Sequence, residues 1–127
     1  MPAPGEYHPA FEEYCECIYE LREDDVEVIQ ARIADRLQVS RPAVSEMMKR
    51  MESEGLITSD GGISLTEAGQ HLAEQVVRRH RLAEVFLTDV LKLPWAEAHH
   101  EAGKWEHVMS DSVERAINSL DDAHDVA

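Results

Sequence analysis

The chain reads as a mainly α protein, an N-terminal winged helix-turn-helix over residues 1–66 followed by a helical domain over residues 67–127. Three observations carry that reading. Three helix-patterned segments, the third opening on Ser40-Arg41-Pro42 and stopping at Gly55, precede two short apolar runs joined by Asp60-Gly61-Gly62. Beyond them the pattern is helical again, without strands. Within that second half, imidazole and carboxylate recur at helical spacing, in His80-Arg-Leu-Ala-Glu84 and in the HHEAGKWEH stretch that holds His99, Glu106 and His107.

The elements follow in order. A Pro/Gly-rich arm (Pro2, Pro4, Gly5) precedes a helix from about Pro9 to Glu23, whose apolar stripe is Phe11, Tyr14, Ile18 and Leu21 at spacings of three and four. Pro9 suits a first turn, where no N–H partner is lost. A second helix runs from about Ile29 to Leu37 with Ile33, Ala34 and Leu37 inward. After QVS, Ser40 is a good N-cap for a third helix with Pro42 in its first turn, ended by Gly55 as a left-handed cap. LITS and ISLT then form a tight hairpin, since Asp-Gly and Gly-Gly accept the positive φ of its turn. Thr66, with Glu67 in the first turn, starts a long helix to about Leu91. Leu93-Pro94 breaks it, and Pro94 starts the next, expected to reach about Met109. Ser110 or Asp111 caps a last helix through Leu120, and the polar tail DDAHDVA is expected to fray.

Size and composition bound the function. A chain of 127 residues buries only about two thirds of its unfolded surface, so a partner would help. Hydrophobic residues make up 43% and aromatics 6%, the composition of a soluble, helix-rich protein. No apolar run approaches the roughly 18 residues of a membrane span, and the start lacks a basic segment leading into an apolar one, so a cytoplasmic location without membrane attachment is expected. Cys15 and Cys17 lie two apart on a helix and point to different faces, so reduced thiols are the plain expectation.

A net charge of −14 argues at first against a nucleic-acid partner. Its distribution reverses the argument. Residues 1–27 hold nine acids against one arginine, and residues 106–127 six against one, while residues 28–52 hold five Lys/Arg against three acids. The third helix sits in this basic island. It offers Arg41, Ser45, Lys49 and Arg50 to a major groove, its N-terminal N–H groups favour a phosphate, and Arg32 on the preceding helix adds a further cation. Ala43, Val44 and Met48 suit either the core or a thymine methyl. Lys-Arg at a helix end alone would be a solvated face; the order of helix, turn, Ser-capped helix and wing favours double-stranded DNA. The acidity elsewhere serves solubility or reflects a salt-adapted source.

At about 100° per residue, His80 and Glu84 share a helix face, and His99, Glu106 and His107 span roughly a 100° arc of the next helix. Imidazole and carboxylate converging between two helices is how a bundle holds a divalent cation, and this donor set suits Mn²⁺ or Fe²⁺, with Co²⁺, Ni²⁺ or Zn²⁺ able to substitute in vitro. On the first helix Glu13, Glu16, Cys17 and Glu20 share an edge beside the apolar stripe. Any one His or Glu would ordinarily be a solvated helix residue, and His8, His71, His100 and His124 have no better claim. Leu82, Val85, Phe86, Val108, Val113, Ile117 and Leu120 supply more apolar surface than the last helices need. A homodimer would use it; the alternative is packing back on the winged domain.

The blocks ARIADRL-QVSRPAVSEMMKRMESEGL, LT-EAG, RRHRLAE, LPW and KWEHVMS together resemble the diphtheria toxin repressor and manganese transport regulator family of metal-dependent repressors, over nearly the whole chain. The resemblance implies a dimer that binds operator DNA tightly only when loaded with metal and so controls uptake or storage genes. By position it implies a primary metal site using Glu13, Glu106 and His107, with Glu16 and His80 as further ligands in manganese-type members, and an ancillary site at His80, Glu84 and His99. Gly103 stands where iron-type members have Cys and manganese-type members Glu, so one donor is missing; Cys17 could substitute for it, the alternative being a buried, inert thiol. A form without the family's SH3-like domain is expected. DNA contacts carry over to Ser40, Arg41, Pro42, Ser45 and Arg50, while Glu46 replaces a frequent Gln. The expected mechanism is an ion that joins the first helix to the fifth and so sets the separation of two recognition helices.

Two other classes compete. A winged-helix regulator could respond to a redox signal through Cys15 or Cys17, or to a small organic ligand, with the His/Glu cluster structural. A metal-dependent hydrolase is the third; no HExxH or comparable spacing occurs, and no small organic substrate or catalytic residue is expected.

Overall fold

The computed structural model describes residues 9–126, with side chains described for residues 10–120. The N-terminal arm with Pro2, Pro4 and Gly5 lies outside them. Among the described residues there are six helices and one two-stranded sheet: α1 (Pro9–Glu23), α2 (Gln30–Leu37), α3 (Arg41–Ser53), β1 (Ile57–Thr58), β2 (Ser64–Leu65), α4 (Glu67–Asp89), α5 (Trp95–Trp105) and α6 (Asp111–Val126). Two compact units divide within α4, between Glu74 and Gln75. No described helix is long and apolar enough to cross a membrane.

In the first unit the apolar stripe of α1 is buried as its spacing requires, and with Ile33, Val44, Met51 and Leu56 it forms one core. Helix ends are set by local chemistry. Ser40 caps α3, its hydroxyl accepting from the Ala43 N–H at 3.2 Å. At the far end Gly55 takes φ +75°, Leu56 N–H donates to Met51 O at 2.9 Å and Gly55 N–H to Glu52 O at 3.1 Å, a closure that needs a left-handed residue after the cap. The chain turns directly into β1, which pairs antiparallel with β2 in the register Ile57 to Leu65 and Thr58 to Ser64. The wing is looser than a two-residue hairpin. Residues 59–63 bridge the strands, with Gly61 and Gly62 at φ +73° and +112°.

Thr66 closes this unit onto α4. Its hydroxyl donates to Gly55 O at 2.6 Å and accepts from Gly69 N–H at 3.1 Å. Gly69 permits the approach: a Cβ there would lie 2.0 Å from Leu56 O.

In the second unit the remainder of α4 packs with α5 and α6. Ala83, Ala98 and Ala102 are fully buried in a cluster with Leu87 and Met109, joined by Phe86, Leu93, Trp105 and Ile117. Small side chains at the contact let helix axes approach, which brings the polar residues beside them within reach of one another. Arg79 fastens α4 to the start of α6, with Nε 2.7 Å from Glu114 and Nη2 2.5 Å from Asp111. Ser110 caps α6 by accepting from Val113 N–H at 3.2 Å.

Three boundaries differ from expectation. α4 stops at Asp89, two residues early, and the chain reverses through Lys92 at φ +61°. α6 continues to Val126 instead of ending near Leu120. α5 ends at Trp105, not Met109: Met109 and Val108 both donate to Trp105 O, at 3.0 and 3.1 Å, a tightened turn that closes the helix on its last carbonyl.

Candidate metal centre and nucleic-acid face

α4 carries His80 and Glu84 one turn apart, and α5 carries His99 on its facing side. Three donor atoms meet there. His80 Nε2 lies 3.0 Å from Glu84 Oε2, Glu84 Oε2 lies 2.9 Å from His99 Nδ1, and the two ring nitrogens are 3.3 Å apart. An ion with bonds of about 2.1 Å holds neighbouring donors about 3.0 Å apart in octahedral and about 3.4 Å apart in tetrahedral geometry. The triangle therefore fits one face of a coordination shell, with other positions left to water or further donors. Among the described residues this is the group of His, Cys, Asp and Glu placed to hold an ion.

Glu106 supports the face from behind. It is the C-cap of α5, and its side chain, 5% exposed, sets Oε2 2.7 Å from His80 Nδ1. Both ring nitrogens of His80 thus face carboxylates, and only an imidazolium donates to both. A cation at Nε2 would replace that proton and leave Nδ1–H donating to Glu106, the outer hydrogen bond that orients a metal-binding histidine. Burial alone would push the Glu84 carboxyl up; the hydrogen bond from His99 and the charges of His80 and His99 outweigh it and hold Glu84 below its ordinary range.

His107 follows the helix in the turn, with Nε2 3.3 Å from Glu106 Oε1. Of the expected arc of His99, Glu106 and His107, Glu106 continues the helical path as the C-cap, with αR backbone and its N–H donating to Ala102 O at 3.0 Å, while His107 lies in the turn beyond it. Glu106 joins the cluster through His80, a contact the spacing alone did not reveal. Glu13, exposed, and Glu16, half-buried, lie on α1 in the first unit. Gly103 has open space where a Cβ would stand, so a larger residue is not excluded there by packing.

Cys17 packs in the core of the first unit. Burial pushes its thiol up to about 11 and that of Cys15 up to about 12. A protonated, enclosed thiol is a poor ligand and a poor redox sensor, which weighs against the regulator reading built on Cys15 or Cys17.

On α3, Arg41, Pro42, Ala43, Lys49 and Arg50 are exposed and Ser45 half-buried, while Val44 and Met48 turn into the core. Arg41, Ser45 and Lys49 recur every fourth residue, so one face is polar and basic. The Arg50 guanidinium lies 5.3 Å from the centroid of the Phe11 ring. Arg32 donates to Glu27 O at 3.0 Å. Ser40 serves the helix as its cap.

Comparison with known proteins agrees with both halves. Residues 7–61 match the family described as iron dependent repressor, N-terminal DNA binding domain, and residues 66–125 match iron dependent repressor, metal binding and dimerisation domain. The chain is 51% identical over 108 residues to the iron-dependent repressor IdeR of Mycobacterium tuberculosis, covering 84% of this chain and 47% of that protein. It is 49% identical over 108 residues to the diphtheria toxin repressor of Corynebacterium diphtheriae, covering 84% and 48%. Among solved structures, the metal-dependent transcriptional regulator MtsR superposes with a TM-score of 0.82 at 39% identity, covering 90% of this chain and 54% of that one. The manganese regulator SloR gives 0.78 at 40% identity with the same coverages. The chain spans about half the length of the curated relatives it matches. With one matched region on the winged unit and the other on the helices that bear the donor triangle, the chain belongs to the iron-dependent repressor family.

Proposed function

We propose that the protein is a metal-dependent transcriptional repressor that binds operator DNA as a homodimer when it holds a divalent ion, Mn²⁺ or Fe²⁺, and so controls metal-homeostasis genes. The observation that carries this is the closed triangle of His80 Nε2, Glu84 Oε2 and His99 Nδ1, built on helices of a chain whose other half presents a basic helix beside a wing. Two imidazoles and a carboxylate favour a borderline or hard ion over a thiophilic one. The relatives are named for iron or manganese, and one solved relative, the regulator ScaR, was determined with bound Zn²⁺, in keeping with in-vitro substitution.

The residues divide the work. His80, Glu84 and His99 would hold the ion, which supplies positive charge to an acidic cluster. Glu106 fixes the His80 tautomer, and His107 neighbours Glu106. Glu13 and Glu16 remain candidate donors on the family resemblance alone. Arg41, Ser45, Lys49 and Arg50 would meet DNA, Ser40 and Pro42 setting the start of their helix and Arg32 adding a phosphate contact. Val113 and Leu120, seven apart on one face of α6, are exposed, as is Val108, and they suit a helical dimer contact. By linkage, a metal that favours the DNA-binding state must itself be bound more tightly when DNA is present, typically by 5- to 150-fold.

The test uses duplex DNA selected from a randomised pool in the presence of Mn²⁺. Fluorescence anisotropy should show tight binding with Mn²⁺, loss on chelation, and an inverted-repeat site as expected of a two-fold dimer. The H80A/E84A variant should stay dimeric and lose the metal response. Unchanged metal stimulation in that variant would contradict the assignment.

A further inference from the structure

His99 is the most exposed member of the triangle, with its side chain 56% accessible, and its Nδ1 contact to Glu84 at 2.9 Å holds one edge of the ring without fixing the ring plane. The ring plane is set by the first residue of its own helix. The Trp95 indole stacks on the His99 imidazole with centroids 5.3 Å apart and planes inclined by 19°, one helical turn away. The edge of His80 meets the same ring at 4.8 Å and 71°. Trp95 is itself 65% exposed, so core packing does not account for it. Pro94, the N-cap at φ −58° and ψ 145°, fixes where α5 and therefore the indole begins.

We propose that Trp95 is a positioning residue of the metal centre: its ring holds the His99 imidazole with Nδ1 turned to Glu84 and His80, so that the three donors are arranged before an ion arrives. Preorganisation spares the ion the cost of ordering an exposed side chain, and an offset aromatic stack supplies it where no apolar core is available. This rests on the metal reading above.

The test measures Mn²⁺ and Co²⁺ binding to the full chain by calorimetry, together with Trp95 emission in a W105F background that leaves it the single tryptophan. W95L is expected to weaken binding about three- to tenfold, the scale of one aromatic stack, while W95F keeps affinity close to wild type. Trp95 emission is expected to change as Co²⁺ fills the centre, with the same saturation as the calorimetric isotherm, and H99A to abolish that change. If H99A weakens binding while W95L binds like wild type or Trp95 emission stays silent, the positioning role is wrong and the metal centre stands. If H99A itself binds like wild type, both fall.

Discussion

Arg50 shows how one contact ties a basic side chain to the core. Its guanidinium rests 5.3 Å from the centroid of Phe11, a residue 6% exposed on α1. A cation over an aromatic face at a wet site is worth about 0.5–1 kcal/mol, and the stack limits where a long side chain can point. F11L keeps an apolar side chain and is expected to weaken DNA binding about two- to fivefold. R50A should weaken it more, and the double variant no further than R50A, read by anisotropy under fixed salt. Gly103 offers the opposite experiment. It sits inside α5 with space around its missing Cβ, so G103A should raise stability by about 0.5–1 kcal/mol in a denaturant titration. G103E, which adds a carboxylate where the family resemblance implies a donor, should raise Mn²⁺ affinity. The candidate donors were legible in the sequence because His80 and Glu84 share a face by arithmetic. The Glu106 to His80 bond and the Trp95 stack were not, since each depends on where helices end and how closely they approach.

At the scale of elements, α1 and α3 were readable to the residue or nearly so. An apolar stripe at three and four, a serine cap and a glycine in the left-handed region are local signals, and all three acted as their chemistry requires. The end of α5 carried no such signal. No glycine or proline follows Trp105, and the helix closes by doubling hydrogen bonds on one carbonyl, which a sequence does not announce. The wing likewise shows glycine where it must turn, but not the length of the loop. Nor did the RRH run single out Arg79, whose side chain is 12% exposed and held by Glu114 and Asp111. R79M would leave Glu114, 20% exposed, with only the longer contact to Arg78 at 3.8 Å, and is expected to cost about 1–2 kcal/mol. Urea unfolding followed by circular dichroism, with E114Q as the companion variant, checks the value; a cost no greater than a surface substitution would show that α6 is held by its apolar face alone.

For the whole molecule, charge is the property that needs explaining. A net charge of −14 repels phosphate, yet the segment from residue 28 to 52 is basic and includes α3. An ion bound among His80, Glu84 and His99 adds positive charge to the acidic body, and any DNA affinity it brings is lost with the ion. The two family regions, residues 7–61 inside the first unit and residues 66–125 mostly in the second, support the proposed division of labour, in which one half would read DNA and the other would sense metal. Where the ion sits is read by anomalous scattering from crystals grown with Mn²⁺ or Co²⁺. A peak is expected bonded to His80 Nε2, Glu84 Oε2 and His99 Nδ1, with His80 Nδ1 still on Glu106. A metal-loaded crystal with its ion elsewhere and this triangle still closed by hydrogen bonds would overturn the assignment of His80, Glu84 and His99 as ligands.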